Sequence, residues 1–206
     1  MASIADHDID ILSGRRTPIG TYLGALSCVT APALATTAAR AALDDSGVPA
    51  EKIGAVFFGN VIPSSKDAAY LARHVGLNVG APVEAPALVL HRACASGMEA
   101  LVQGAKARAC GEAEFVLAGG AVNMSMTPYS MRGVRQGWKM IKSDGDDMLF
   151  SALHDDKAGC SIGETVEHLA HERGVSREDA DAAALRGQQR AAAAGAAGGI
   201  GREIAA

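Results

Sequence analysis

HRACASGMEALVQGAKARACGE, residues 91–112, sets a single cysteine, Cys94, between small residues where an apolar strand-like run passes into a helix-like one. A thiol at a helix start feels partial positive charge and free amide donors, and both favour the thiolate, the form that attacks carbonyl carbon. A helix end contributes up to about 2 kcal/mol and one pKa unit is about 1.36 kcal/mol, so a thiol starting near ~8.5 stays mostly protonated at neutral pH. Strong activation therefore calls for a histidine base. His91 is close in sequence, but the pattern places it on the strand with its ring directed away. The alternative for a free cysteine is burial as a small packing residue. The alanine, serine and glycine around Cys94 favour chemistry, because they let another group approach the sulfur.

Three other clusters carry weaker signals. Glu164, His168 and His171 share one helical face in GETVEHLAH, with Glu167 beside them, and could ligate a metal. No second ligand-bearing helix and no HExxH pattern accompanies them, so a solvated polar face is the expected reading and no metal is expected. Arg132, Arg135, Lys139 and Lys142 surround Trp138 and read as an ordinary surface or subunit contact, a phosphate-bearing ligand being the sharper alternative. Gly198, Gly199 and Gly201 lack both the GxGxxG order and a preceding strand, which argues against dinucleotide binding.

The elements that must position Cys94 follow from periodicity. DIDILS (8–13) reads as a first strand, and Thr30 with Pro32 opens a helix that ends at Gly47. IGAVFFGNVI (53–62), APALVLH (85–91) and AEFVLAGGAV (113–122) are short apolar runs expected of buried strands, separated by helices over 66–77 and 96–111. The series predicts an α/β layered domain with a mixed or parallel sheet, ending near residue 122. Residues 123–206 change character: a long glycine-punctuated stretch suits an excursion or cap, followed by two helices, the second opened by a Ser176–Asp179 capping-box spacing.

With 206 residues, 49% hydrophobic and 20% charged, the chain can bury a core, and its net charge of −4 gives no overall attraction to nucleic acid or an anionic membrane. The four cysteines form no CxxC pair and no metal-ligand spacing, which fits a reducing cytoplasmic setting. Neither a leader peptide nor a membrane-spanning run is expected from the sequence.

ILSGRRTPIGTYLGALS, GNVIPSSKDAAYLARHVGL, APALVLHRACASGMEAL, VLAGGAVNMSMTPY and SREDADAAALRGQQRAAAAG occur in the order and at about the spacing found in the N-terminal half of thiolases. The chain resembles 3-ketoacyl-CoA thiolases and acetyl-CoA acetyltransferases over nearly all of residues 8–204. The resemblance implies an α/β thiolase-like layered fold, helices packed on a mixed β-sheet, with residues 1–122 as the half-domain core carrying the nucleophile. Residues 123–206 would be the inserted loop (cap) domain, incomplete at its C-terminal end. It also implies that Cys94 takes an acyl group from a CoA thioester, its own amide helping to form an oxyanion hole. CoA thiolate, or the carbanion of a second acetyl-CoA, then removes that group. Acyl-CoA and CoA would be the partners, no cofactor would be needed, and the complete protein would be a homo-oligomer.

Several residues depart from the family pattern. Ala95 stands where the glycine of CGSG is common, so its methyl would crowd the acyl carbon, and Val122 replaces the acidic residue of GGxE. Ser161 and Ile162 fall where relatives carry the His-Met of the acyl pocket, and Glu164 and Val166 differ from MGxTAEN. The family's GHP histidine, NEAFA asparagine and CxG cysteine, which belong to the second half, do not occur in these 206 residues. The chain alone is therefore expected to be inactive. Two alternatives are a non-catalytic subunit that completes its fold with a partner chain, and a ketoacyl-synthase-like condensing enzyme. RTPIG and NMSMTPY favour the thiolase reading over the latter.

Overall fold

The computed structural model describes residues 8–137 and 145–205. They form two compact units, one running to Thr127 and taking back the terminal stretch from Ile204, the other spanning Pro128–Glu203. The division falls after Thr127 rather than after residue 122. Asn123, nearly buried, explains the difference: its side-chain amide donates to the carbonyls of Leu26, Ser27 and Val29 (3.1, 3.1 and 2.7 Å), which ties this stretch to the first unit.

The first unit is built on a three-stranded sheet. Helix α1 (Ala31–Ser46) is followed by strand β1 (Ile53–Gly59), helix α2 (Leu71–Val79), strand β2 (Ala87–Leu90), helix α3 (Ser96–Ala109) and strand β3 (Phe115–Gly120). The order is β2-β1-β3, and β1 pairs with both neighbours in parallel, so among the described residues the sheet is parallel and not mixed. The ends of α1 follow its sequence signals. The Thr30 hydroxyl accepts from the Ala33 amide, Pro32 sits in the first turn, and Gly47 closes the helix at φ 67°, where glycine bears no Cβ penalty.

Alternation along β1 sends its side chains to opposite faces. Val56 and Phe58 join Ala35, Leu71 and Val75 in the core beneath α1 and α2, where burying a leucine or valine contributes roughly 1.5–3 kcal/mol. The other face meets α3 through small residues: Val116 fits against Gly104, where an added Cβ would lie 3.0 Å from its methyl, and Ala100 and Ala107 are buried. Gly76 of α2 admits Val56 in the same way.

Residues 8–13 are not a strand. Ile11 and Leu12 are 78% and 57% exposed, and the only pairing of this region among the described residues is a bridge from Arg16 to Ile204, with the Ala205 amide donating to the Arg16 carbonyl at 2.8 Å. An alternating segment becomes a strand only where a neighbour takes its backbone hydrogen bonds.

In the second unit, β4 (Tyr129–Ser130) pairs antiparallel with β5 (Asp146–Asp147), and β6 (His154–Asp155) with β7 (Cys160–Ser161). Helix α4 (Met148–Leu153) lies between the two ribbons, and α5 (Ile162–Arg173), α6 (Arg177–Ala196) and α7 (Gly199–Glu203) follow. No described residue from Pro128 to Glu203 is buried. The helices of this unit are held by local devices, among them capping boxes at Ser161–Glu164 and Ser176–Asp179 and an Arg177–Asp181 pair at 2.8 Å.

Candidate active site

Cys94 lies in the turn between β2 and α3, beyond the carboxyl ends of the parallel strands, the side on which open α/β sheets place their ligands. Those ends are laced together. The Asn60 amide donates to the Leu90 carbonyl (3.0 Å), its side chain donates to the Ala121 carbonyl (2.8 Å), and the Ala121 amide donates to the Gly59 carbonyl (3.0 Å). Asn60 is buried to 6% exposure, and the spacing of small and apolar residues around it carried no sign of that role.

Cys94 is exposed. Its exposure argues against a buried packing role. Ala93 before it has a left-handed φ of 46°, a conformation that alanine adopts reluctantly. Ala95 after it has φ −91° and ψ 7°, within ordinary reach of any L-residue, and it is exposed. The backbone of the turn thus needs no glycine at position 95, and the residue whose conformation favours glycine is Ala93.

Ser96 closes the turn. Its hydroxyl accepts from the Arg92 amide at 2.8 Å and donates to the Ala93 carbonyl at 2.6 Å, while its own amide donates to the same carbonyl at 3.1 Å. At 4% exposure it is locked against the sheet, since a Cβ on Gly59 would come within 2.7 Å of Ser96. Small residues in ACASG therefore serve close packing of α3 on β1 and β3 as well as access to sulfur. Above the turn, Arg92 is ion-paired with Glu99, which also accepts from Gln103 at 2.6 Å. These contacts, the Gln103 amide first and then Arg92, hold the Glu99 carboxyl below its usual range.

His91 lies just past the end of β2, in the turn and not on the strand, and its Nδ1 accepts from the Ala93 amide at 3.3 Å. The ring bends back onto its own loop. Among the described residues no hydrogen bond joins the Cys94 sulfur to an imidazole. An open groove of about 450 Å³ runs beside the turn, lined by Leu88, Leu90, His91, Arg92, Glu99 and Gln103, and Cys94 lies outside that lining.

The sequence matches the family described as thiolase, N-terminal domain, over residues 9–206. The chain belongs to the thiolase family. It is 47% identical to the mitochondrial 3-ketoacyl-CoA thiolase of Rattus norvegicus over 95% of this chain and 49% of that protein. Similarity to the acetyl-CoA acetyltransferase of Pseudomonas aeruginosa is 37% identity over 91% of this chain and 48% of that protein. The human mitochondrial 3-ketoacyl-CoA thiolase solved in complex with CoA superposes with a TM-score of 0.92 at 44% identity, covering 94% of this chain and 49% of the other. The chain spans about half the length of the curated relatives it matches. Its fold is the α/β thiolase fold, as the resemblance implied.

The remaining candidates lie in the second unit of this thiolase chain. Ser161 is the N-cap of α5: its hydroxyl accepts from the Glu164 amide at 3.2 Å, and the Glu164 carboxylate accepts from the Ser161 amide at 2.7 Å. That pairing, and the Ser161 backbone amide first, holds the Glu164 carboxyl below its usual range. Ile162 is half-exposed. Glu164, Glu167, His168 and His171 are all exposed, and among the described residues no three side chains form a metal-binding group. Arg132 pairs with Asp146 at 2.5 Å and Arg135 is exposed, while Trp138, Lys139 and Lys142 lie outside the described residues. Gly198 has φ 70° at the turn between α6 and α7.

Proposed function

We propose that the protein carrying this chain is a thiolase-type acyltransferase and that Cys94 is its acyl acceptor. The observation that carries this reading is the exposed thiol in a tightly bonded turn at the carboxyl ends of the parallel strands, in a chain of the thiolase family. The cysteine sulfur bonds to the thioester carbonyl carbon, the carbon–sulfur bond to CoA breaks, and the departing thiolate takes the proton the cysteine gave up. Either CoA thiolate then cleaves the acyl-enzyme, completing thiolysis of a 3-ketoacyl-CoA, or the carbanion of a second acetyl-CoA attacks it in a Claisen condensation. Dividing one hard substitution into two is what a covalent intermediate achieves.

The base that takes the proton of Cys94 comes from outside these residues. His91 is engaged with the Ala93 amide, and the family's GHP histidine and CxG cysteine do not occur here. Ser161 and Ile162 form part of the acyl-pocket wall in this reading. Ile162 supplies apolar surface, whereas the Ser161 hydroxyl is already engaged by the Glu164 amide. No metal or redox cofactor enters the proposed steps, the setting is a reducing cytoplasm, and the complete protein is a homo-oligomer.

The test is acyl capture followed by tandem mass spectrometry. After incubation with acetyl-CoA, the peptide containing Cys94 gains one acetyl group and the Cys94→Ser chain gains none. Acetylation confined to Cys28 or Cys110 would sink the reading. The 206-residue chain alone shows no appreciable cleavage of acetoacetyl-CoA, monitored by its magnesium-enolate absorbance. Turnover abolished by Cys94→Ser would show instead that the second half is dispensable.

A second reading, a subunit that completes its fold with a separate polypeptide, is favoured by the exposed apolar side chains of the first unit, such as Ile19 and Met98. Co-purification with a polypeptide carrying GHP and CxG motifs separates the two.

A further inference from the structure

A serine at a helix start ordinarily bonds forward, to amides of the first helical turn. Ser96 bonds backward. The N-cap position belongs to Ala95, which has no capping side chain, and the Ser96 hydroxyl instead spans the turn behind it, accepting from Arg92 and donating to Ala93. One partner directly precedes Ala93 and the other is the carbonyl of Ala93 itself, the residue immediately before Cys94. Ala93 sits at φ 46°, which an alanine does not hold unless its surroundings over-determine it. Ser96 can impose that conformation because it cannot retreat: it is 4% exposed and pressed against Gly59 of β1.

We propose that Ser96 is a positioning residue for acyl transfer at Cys94: its hydroxyl holds Ala93 in the left-handed conformation and so fixes the direction in which the next residue presents its sulfur. The proposal rests on the reading of Cys94 as an acyl acceptor. Acyl transfer develops a negative oxygen that the amides of this turn must meet, whereas alkylation by a halide develops none. Loss of the hydroxyl therefore affects the two reactions unequally.

The experiment uses the 206-residue chain and two probes, with labelling at each cysteine read by peptide mass spectrometry. S-phenyl thioacetate transfers its acetyl group to Cys94: the new carbon–sulfur bond forms, the bond to sulfur of the phenyl thiolate breaks, and the thiol proton leaves with it or to solvent. Iodoacetamide alkylates the same sulfur and releases iodide and the thiol proton. In Ser96→Ala, acetylation of Cys94 falls about tenfold while its alkylation changes less than about twofold. Adding Ala93→Gly to Ser96→Ala recovers most of the lost acetylation, because glycine takes positive φ without steric cost. Ala93→Val, which keeps the hydroxyl but resists positive φ, lowers acetylation as Ser96→Ala does, and it carries the test alone if circular dichroism shows Ser96→Ala unfolded.

Equal acetylation in wild type and Ser96→Ala overturns the proposal, as does a loss that Ala93→Gly fails to relieve, which would mark Ser96 as packing only. An unaffected Ala93→Val overturns it too. A parallel incubation with acetyl-CoA separates the two levels. Ser96-dependent acetylation by S-phenyl thioacetate with none from acetyl-CoA leaves the positioning role standing and removes the CoA reading.

Discussion

At the scale of single residues, the turn around Cys94 is held by bonds among the neighbours of the cysteine. Cys94 is exposed, its neighbours are bonded to one another, and the His91 imidazole is turned to its own backbone. The Arg92–Glu99 pair over the turn adds a pH-dependent contribution. The Glu99 carboxyl titrates lower in the folded chain than in the unfolded one, so its contribution is complete above the usual carboxylate range and is lost as pH falls through the folded value. Glu99→Gln is therefore expected to be less stable than wild type in urea unfolding at about pH 6, with the gap closing at about pH 3. A gap of equal size at both pH values would show that another group titrates. This network was not legible in HRACASGMEA, because a left-handed Ala93 has no sequence marker.

At the scale of elements, the site is held by close approach between small residues. Gly59 at the end of β1 meets Ser96, Gly120 at the end of β3 meets Gly97, and Gly104 of α3 meets Val116. Gly59→Ala would place its Cβ 2.6 Å from the Ser96 backbone, so α3 must shift away from β1. We expect a loss of about 1–3 kcal/mol in chemical denaturation, with acetylation of Cys94 reduced in the same variant. Wild-type stability in Gly59→Ala would show that the helix start accommodates the methyl without cost. The helices of the second unit rest on a different basis. Alpha-helix α6 is exposed along its whole length and is supported by alanine content, a capping box and an i,i+4 ion pair, features plain in SREDADAAALRGQQRAAAA.

At the scale of the whole chain, large apolar side chains remain in contact with solvent: Ile19 is 89% exposed, Met98 64% and Leu88 50%. Among the described residues, edge strand β2 offers an unpaired side in addition. Concentration-dependent association is expected in sedimentation velocity, and a single species of one chain's mass across the concentration range would refute it. The chain spans about half the length of the curated relatives it matches.

Local properties were legible from the sequence because each depends on a few adjacent residues. Those were the helices and their caps at Thr30 and Ser176, the three apolar strands, the placement of Cys94 at a strand-to-helix turn, and the five stretches that mark a thiolase. Tertiary structure decided what depends on partners distant in the chain. It left 8–13 unpaired, made the described sheet wholly parallel, engaged the Ser161 hydroxyl in a helix cap, and drew Asn123 back to the loop at 26–29. It also turned Ser96, which reads as one more small residue, into the bond that shapes the turn before Cys94, because only the packed sheet supplies the Gly59 surface against which that serine is held.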